Sequence, residues 1–207
     1  KTTQCPVLFK ADLAPGLLRS LIGAIRGPAL YRKASFLLDK LGERIFPDWV
    51  IIDENPLLKQ GMASAPFDNE GVATHYRDLV KDGVLQGYLL DSYAARKLGM
   101  ESTGNAGGVR NVSVSQSDKD LDALLRDMGT GLLVTEFIGF GVNIVTGDYS
   151  RGAAGFWVEN GEIQYPVDEI TVADAGASLF FVGFNGFLNA SAPGATVSIG
   201  AQASGDG

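Results

Sequence analysis

The chain has 207 residues, 45% apolar and 20% charged, a globular balance that excludes a disordered or fibrous protein. Its formal net charge of −7 comes with no concentrated basic patch, which argues against a nucleic-acid partner. No apolar run approaches the roughly 20 residues of a membrane span, because the richest, "SLFFVGFNGFL" from Ser178 to Leu188, is short and broken by glycines.

In chain order, the opening "KTTQCPVLF" has no signal-peptide character, and a start on Lys1 without methionine reads as an internal cut. Cys5 to Ala11 alternates like a strand. Pro15 suits the first turn of a helix running to about Arg26 and ended by Gly27-Pro28. Tyr31 to Phe46 reads as a helix or an irregular ribbon, and "WVIID" from Trp49 to Asp53 as a strand stopped by "ENP". Asp82-Gly83 between apolar runs marks a hairpin. Ser92 to Leu98 reads as a helix with Ser92 as N-cap and Gly99 at its end. Asp118 to Met128 is predicted helical, Gly131 to Ile138 extended, and Asn160-Gly161 marks a second hairpin between "GAAGFWVE" and "EIQYPVDEITV". After Ala173 the chain turns rich in Gly, Ala and Ser, with Asp174 and Asp206 its only charges. Hairpins and isolated helices without a βαβ rhythm predict an α+β fold of mostly antiparallel sheets, in one domain over residues 1–207.

Groups that carry chemistry are sparse. Cys5 is the only cysteine and His75 the only histidine, so no disulfide forms within the chain, a reducing cytosolic setting fits, and neither a catalytic triad nor the usual zinc ligand set is available. His75 reads as a half-exposed strand or loop residue. Asp68 and Glu70, two apart in "FDNEGVAT", suit an acid/base couple or metal ligands, or else a turn in which Asp68 caps backbone N–H groups. "STGNAGG" from Ser102 to Gly108 has the composition of a phosphate loop, but it follows a helix and precedes the strand-like "VRNVSVS", the wrong order for one. The stretch Gly139 to Glu162 is dense in Gly, Asn, Asp and Ser; it suits strand addition of an extended peptide or a tightly turned hairpin stack.

Five blocks together, "FPDWVIIDENP", "PFDNEGVAT", "LVKDGVLQGYLLDSYAARKLG", "STGNAGG" and "TGDYSRGAAGFWVENGEIQYPVDEIT", resemble the carboxy-terminal domain of the TldD/PmbA family, and within it the PmbA-type (TldE-type) subunits. The resemblance runs from about Cys5 to Ala173. It implies a two-subunit cytoplasmic metallopeptidase of bacteria and archaea that processes short or unfolded peptides, including leader peptides of modified microcins. It also implies an amino-terminal domain that this chain does not contain.

In TldD-type members the zinc helix reads "LLHEAIGH", an H-E-x-x-x-H pattern; the matching stretch here, Leu17 to Ala24, is "LLRSLIGA". Arg19 stands at the first His, Ser20 at the Glu and Ala24 at the second His, so the resemblance implies lost catalytic positions and no metal in this subunit, with zinc expected in a TldD-type partner. Ligands five apart lie about 140° around an ideal helix, so the retained Gly23 would ease a widened turn or admit a close backbone. Expected partners are a TldD-type zinc subunit, or a second copy in a homodimer, and a peptide substrate; no nucleic acid and no membrane are expected. Gly141, Asn143, Gly147 and Asp148 are the peptide-binding candidates, and Asp68, Glu70, Thr103 and Asn105 the structural or site-lining ones. Arg19 would hold a substrate carboxylate or an interface salt bridge. The competing expectations are a non-proteolytic modulator, for example of DNA gyrase, and a self-sufficient peptidase with a metal held by Asp68, Glu70 and His75. Beyond Ala173 the chain departs from the family pattern and carries no functional reading, although "TVSIGAQASGD" stands where the family's final strand would be.

Overall fold

In the computed structural model, residues 2–115, 118–139, 141–174 and 195–199 are described. The apolar stretch Ser178 to Leu188 lies outside them. The fold is α+β, and the chain divides into two compact units: Lys1–Leu17, Ser117–Asn143 and Gly147–Gly207 form the first, Leu18–Gln116 and Ile144–Thr146 the second. Among the described residues no helix is long and apolar enough to cross a membrane.

The first unit is built on a sheet of β1 (Thr2–Cys5), β2 (Val7–Phe9), β7 (Gly131–Ile138), β8 (Tyr149–Glu159), β9 (Glu162–Asp174) and β10 (Ala195–Ile199), in the order β1-β10-β9-β8-β7-β2. Only β2 runs parallel to its neighbour, β7; the other pairings are antiparallel. The expected single strand from Cys5 to Ala11 is therefore two. The break falls at Pro6, which has no N–H to give a ladder, and the halves serve different partners, β1 lying on β10 and β2 on β7. The final strand expected within "TVSIGAQASGD" is present as β10.

The hairpin between β8 and β9 turns at Asn160 and Gly161, both left-handed with φ of 54° and 77°, the conformation that an Asn-Gly pair accepts most readily. Helix α4 (Leu121–Met128) packs Leu124, Leu125 and Met128 on Leu8, Leu133 and Val158 of the sheet. It begins three residues later than expected, because the Asp120 carboxylate accepts from Ala123 N–H at 2.8 Å and fixes the first turn there.

The second unit holds an antiparallel sheet of β3 (Ile52–Glu54), β4 (Arg77–Lys81), β5 (Val84–Leu85) and β6 (Val112–Val114), ordered β5-β4-β3-β6. Asp82 and Gly83 turn β4 into β5 with φ of 49° and 74°. Strand β3 starts at Ile52, not Trp49, since Trp49 and Val50 sit in a turn whose Val50 N–H reaches Pro47 O at 3.1 Å.

Tyr31 to Phe46 is the irregular ribbon rather than the helix. Lys33, Asp39 and Gly42 all adopt positive φ, which no α-helix tolerates. Side chains hold the ribbon instead: Ser35 Oγ donates to Ala24 O at 2.6 Å, and Tyr88 Oη donates to Leu37 O at 2.7 Å while accepting from Lys40 N–H at 3.1 Å. The buried core of this unit includes Leu21, Ile25, Leu30, Leu37, Phe46, Val50, Ile52, Leu79, Leu85 and Leu90. Helix α3 (Ser92–Leu98) ends at Gly99 as expected, but Asp91 is its N-cap: the Asp91 carboxylate accepts from Ala94 N–H at 2.7 Å, which places Ser92 inside the first turn.

Candidate functional site

Helix α1 (Ala14–Ala24), within which the division between the units falls, carries Arg19, Ser20 and Ala24, the positions that the resemblance aligns with a zinc helix. Its apolar spacing buries Leu17, Leu21 and Ala24, and this turns Arg19 outward to solvent with Ser20 half-buried. Ala24 is fully buried, so positions 19 and 24 point to different sides of the helix. The helix is regularly α through Gly23, and Ile25 N–H continues the pattern onto Leu21 O at 3.1 Å. No widened turn is present. A Cβ added at Gly23 would meet nothing within 4 Å, so no close backbone explains that glycine either.

The structural candidates lie in the second unit, with Asp68 and Asn105 buried, Thr103 half-buried and Glu70 exposed. Asp68, 3% exposed, accepts from the N–H groups of Glu70 and Val72 on one oxygen and from Ala106 N–H on the other, each at 2.9 Å. Burial pushes its carboxyl up, but these three N–H groups and the Arg110 charge outweigh it and hold the group below the ordinary value. Glu70 accepts from Ser92 N–H at 2.8 Å. Both carboxylates thus tie loops together through backbone donors, the capping alternative. His75 is exposed on the surface. Among the described residues, no three His, Cys, Asp or Glu side chains gather to hold a metal ion.

Thr103 and Asn105 join two residues that the sequence did not single out, Glu54 and Arg77. Asn105 Nδ2 donates to both Glu54 oxygens, at 2.9 and 3.2 Å, while its Oδ1 accepts from Thr103 Oγ1 at 2.8 Å and also from Arg77 Nη2. Arg77 Nε pairs with Glu54 at 3.1 Å, Arg77 Nη1 reaches Tyr88 O at 3.0 Å, and Arg110 N–H donates to Glu54 at 2.8 Å. Glu54 is 2% exposed. A buried charge is tolerable when paired and fully hydrogen-bonded; Arg77 supplies the pairing, and Arg110 N–H together with Asn105 of the "STGNAGG" loop the further hydrogen bonds. The loop's polarity therefore serves the interior. The only sequence signal for Glu54 was an acid at the end of an apolar strand.

The peptide-binding candidates lie in the first unit at the turn between β7 and β8. Asn143 N–H reaches Asp148 O at 2.9 Å, Gly147 N–H reaches Asn143 O at 2.8 Å, and Ser150 N–H reaches Gly141 O at 2.8 Å. Val142 bridges to Tyr149. Gly147 has a φ of 82°, and a Cβ at Gly141 would lie 2.3 Å from Ser150 O. The close approach that these glycines permit is made by the hairpin's own opposite strand. Beyond the turn, Tyr149 is buried, its hydroxyl without a hydrogen bond among the described residues, and Arg151 lays its guanidinium 4.3 Å from the centre of the Phe137 ring.

Residues 2–182 match the model of the PmbA/TldA metallopeptidase C-terminal domain family. The chain is similar to the Escherichia coli O157:H7 metalloprotease PmbA, 58% identical over 83% of this chain and 38% of that protein. It is 59% identical to a Haemophilus influenzae metalloprotease PmbA homologue over the same shares, and 26% identical to the TldD homologue of that organism. The chain thus spans about two fifths of the length of these relatives. A crystal structure from Bacteroides thetaiotaomicron, provisionally described as a modulator of DNA gyrase, superposes with a TM-score of 0.85 at 34% identity, over 96% of this chain and 48% of that one. Thermococcus kodakarensis TldE superposes with a TM-score of 0.75 at 26% identity, over 87% and 44%.

Proposed function

The chain belongs to the PmbA/TldD metallopeptidase family, as its C-terminal domain, and from that premise we propose that it is part of a zinc-less, PmbA-type subunit. That subunit works with a TldD-type zinc subunit, or with a second copy, on short or unfolded peptides in the cytoplasm. One observation carries the reading: the three side chains at the family's ligand and base positions do not fit a zinc ion. Arg19 is permanently charged and has no lone pair for a metal; Ser20 is a poor proton acceptor at neutral pH; Ala24 has no donor atom and is buried. Gly141, Asn143, Gly147 and Asp148 remain the candidates for facing the peptide. The carboxylate alternative gains no support, because Asp68 and Glu70 are committed to backbone N–H groups.

The test is to purify the full-length subunit alone and together with a TldD-type partner, then to measure bound zinc and cleavage of an unstructured peptide. The expected outcome is cleavage by the pair that a chelator abolishes, with neither stoichiometric zinc nor cleavage in the lone subunit. Stoichiometric zinc and activity in the lone subunit would overturn the proposal. The description of the Bacteroides thetaiotaomicron structure favours a second reading, a non-proteolytic modulator of DNA gyrase, which predicts stable gyrase binding with no effect on peptide cleavage.

A further inference from the structure

Helices α2 (Gly27–Tyr31) and α3 carry a surface feature assembled from residues about 60 positions apart. A Cβ at Gly27 would lie 2.2 Å from Ala94 Cβ, so the glycine lets α2 sit directly on α3. Tyr31 follows one turn after Gly27 on the same side, and Tyr93 immediately precedes Ala94. Their rings consequently meet edge to face, 5.6 Å between centroids at 81°. Arg32 lies 5.5 Å from the centre of the Tyr31 ring and Lys97 5.6 Å from that of Tyr93. The result is an unbroken row of cation, ring, ring and cation, with Tyr93 51% exposed and both cations at the surface.

The cations of this row meet no carboxylate among the described residues. Neither helix contains an acidic residue, and none of Arg32, Lys33, Arg96 and Lys97 has a carboxylate partner among the described residues. On a chain of net charge −7, four such cations around the exposed Tyr93 and the half-buried Tyr31 are a local reversal of sign. We propose that this row is a docking surface for a short acidic, aromatic-bearing segment of a partner protein. Its carboxylates meet Arg32 and Lys97, and an aromatic side chain rests on the open face of Tyr93. A nucleic acid offers similar chemistry, but a long polyanion runs past the patch and meets the acidic remainder of the surface. A short segment ends within about one Debye length, roughly 8 Å at physiological salt, so the local cations decide its binding.

The proposal is independent of the zinc-less reading, and its test uses the full-length protein. A short fluorescein-labelled peptide of alternating Glu and Tyr, its Gln/Tyr counterpart and an oligothymidylate are titrated by fluorescence anisotropy. Saturable binding of the Glu/Tyr peptide is expected, with none of the Gln/Tyr peptide at the same concentrations. Arg32→Glu/Lys97→Glu should weaken it at least about tenfold while leaving the thermal unfolding curve in place, since both side chains are exposed. Absence of saturable binding, equal affinity of the charge-reversed variant, or tighter binding of the oligothymidylate would overturn the proposal. So would protection of Tyr31 and Tyr93 from nitration in the free full-length protein, which would mean that its own chain covers the row.

Discussion

Glu54→Gln tests whether the buried network holds the second unit together. Glutamine preserves the shape, removes the charge and converts one acceptor oxygen into a donor. With the new carbonyl toward Arg110 N–H and Asn105 Nδ2, the new amide faces Arg77 Nε, donor against donor, where an ion pair of 3.1 Å stood. Flipping the amide merely moves the conflict onto Asn105 and Arg110. Burial already pushes the Arg77 guanidinium below its ordinary value, against the Glu54 charge that pushes it back up; without that charge the cation is buried and unpaired. Removing one partner of a buried pair costs about 3–5 kcal/mol. At an m-value of about 2 kcal/mol per molar urea, the midpoint falls by about 2 M. The transition is followed through Trp49, which lies in this unit. Arg77→Met added to Glu54→Gln should cost less than the sum of the two single changes by at least about 1 kcal/mol, since the orphaned charge is gone. A cost for Glu54→Gln below about 1 kcal/mol, or strict additivity in the cycle, would refute the reasoning.

Gly23→Ala should stabilise by up to about 1 kcal/mol in a thermal melt, because the added methyl meets open space in a regular helix. Gly155→Ala should have the opposite sign, because its Cβ would fall 1.9 Å from Leu133 O in the β7–β8 ladder, where backbone cannot yield. The folded-state value of the Asp68 carboxyl is depressed, so its contribution is present above the unfolded value and is lost as pH falls through the folded one. The urea-midpoint gap between wild type and Asp68→Asn should therefore be constant near neutrality and shrink below about pH 4. Burial pushes the Cys5 thiol up to about 11, so Ellman's reagent should react slowly with the native protein at pH 8 and rapidly after denaturation.

Legibility in the sequence followed the range of the interaction. The turns at Asp82-Gly83 and Asn160-Gly161 were plain, because the left-handed backbone they need is encoded by two adjacent residues. The bounds of α3 were legible, but its N-cap was misplaced by one residue and the start of α4 by three, because several Asp and Ser side chains compete as caps, and only the tertiary path shows that Asp91 and Asp120 capture the N–H groups. Tyr31 to Phe46 was ambiguous for a deeper reason. Its apolar spacing permits a helix, but Ser35 and Tyr88 satisfy its backbone in another form, and Tyr88 lies 51 residues from the Leu37 carbonyl it binds. Glu54, Arg77 and Asn105 were invisible as a group because each contact spans more than 20 positions.

The same distinction sharpens the reading of α1. The identities at 19, 20 and 24 were visible in the sequence, and on them rests the proposal that this subunit holds no zinc. What Gly23 does was not visible, and both roles considered for it fail: the helix is regular, and the space beside the glycine is open. A glycine that costs about 1 kcal/mol in a helix interior and meets no close neighbour among the described residues leaves room for something to approach that side of the helix. Gly23→Ala therefore separates two origins. If the stabilised variant still associates with a TldD-type subunit and supports peptide cleavage at the wild-type level, the glycine is a remnant of the zinc helix. If the gain in melting temperature comes with a loss of either, the open space beside Gly23 is where that subunit or the peptide comes in.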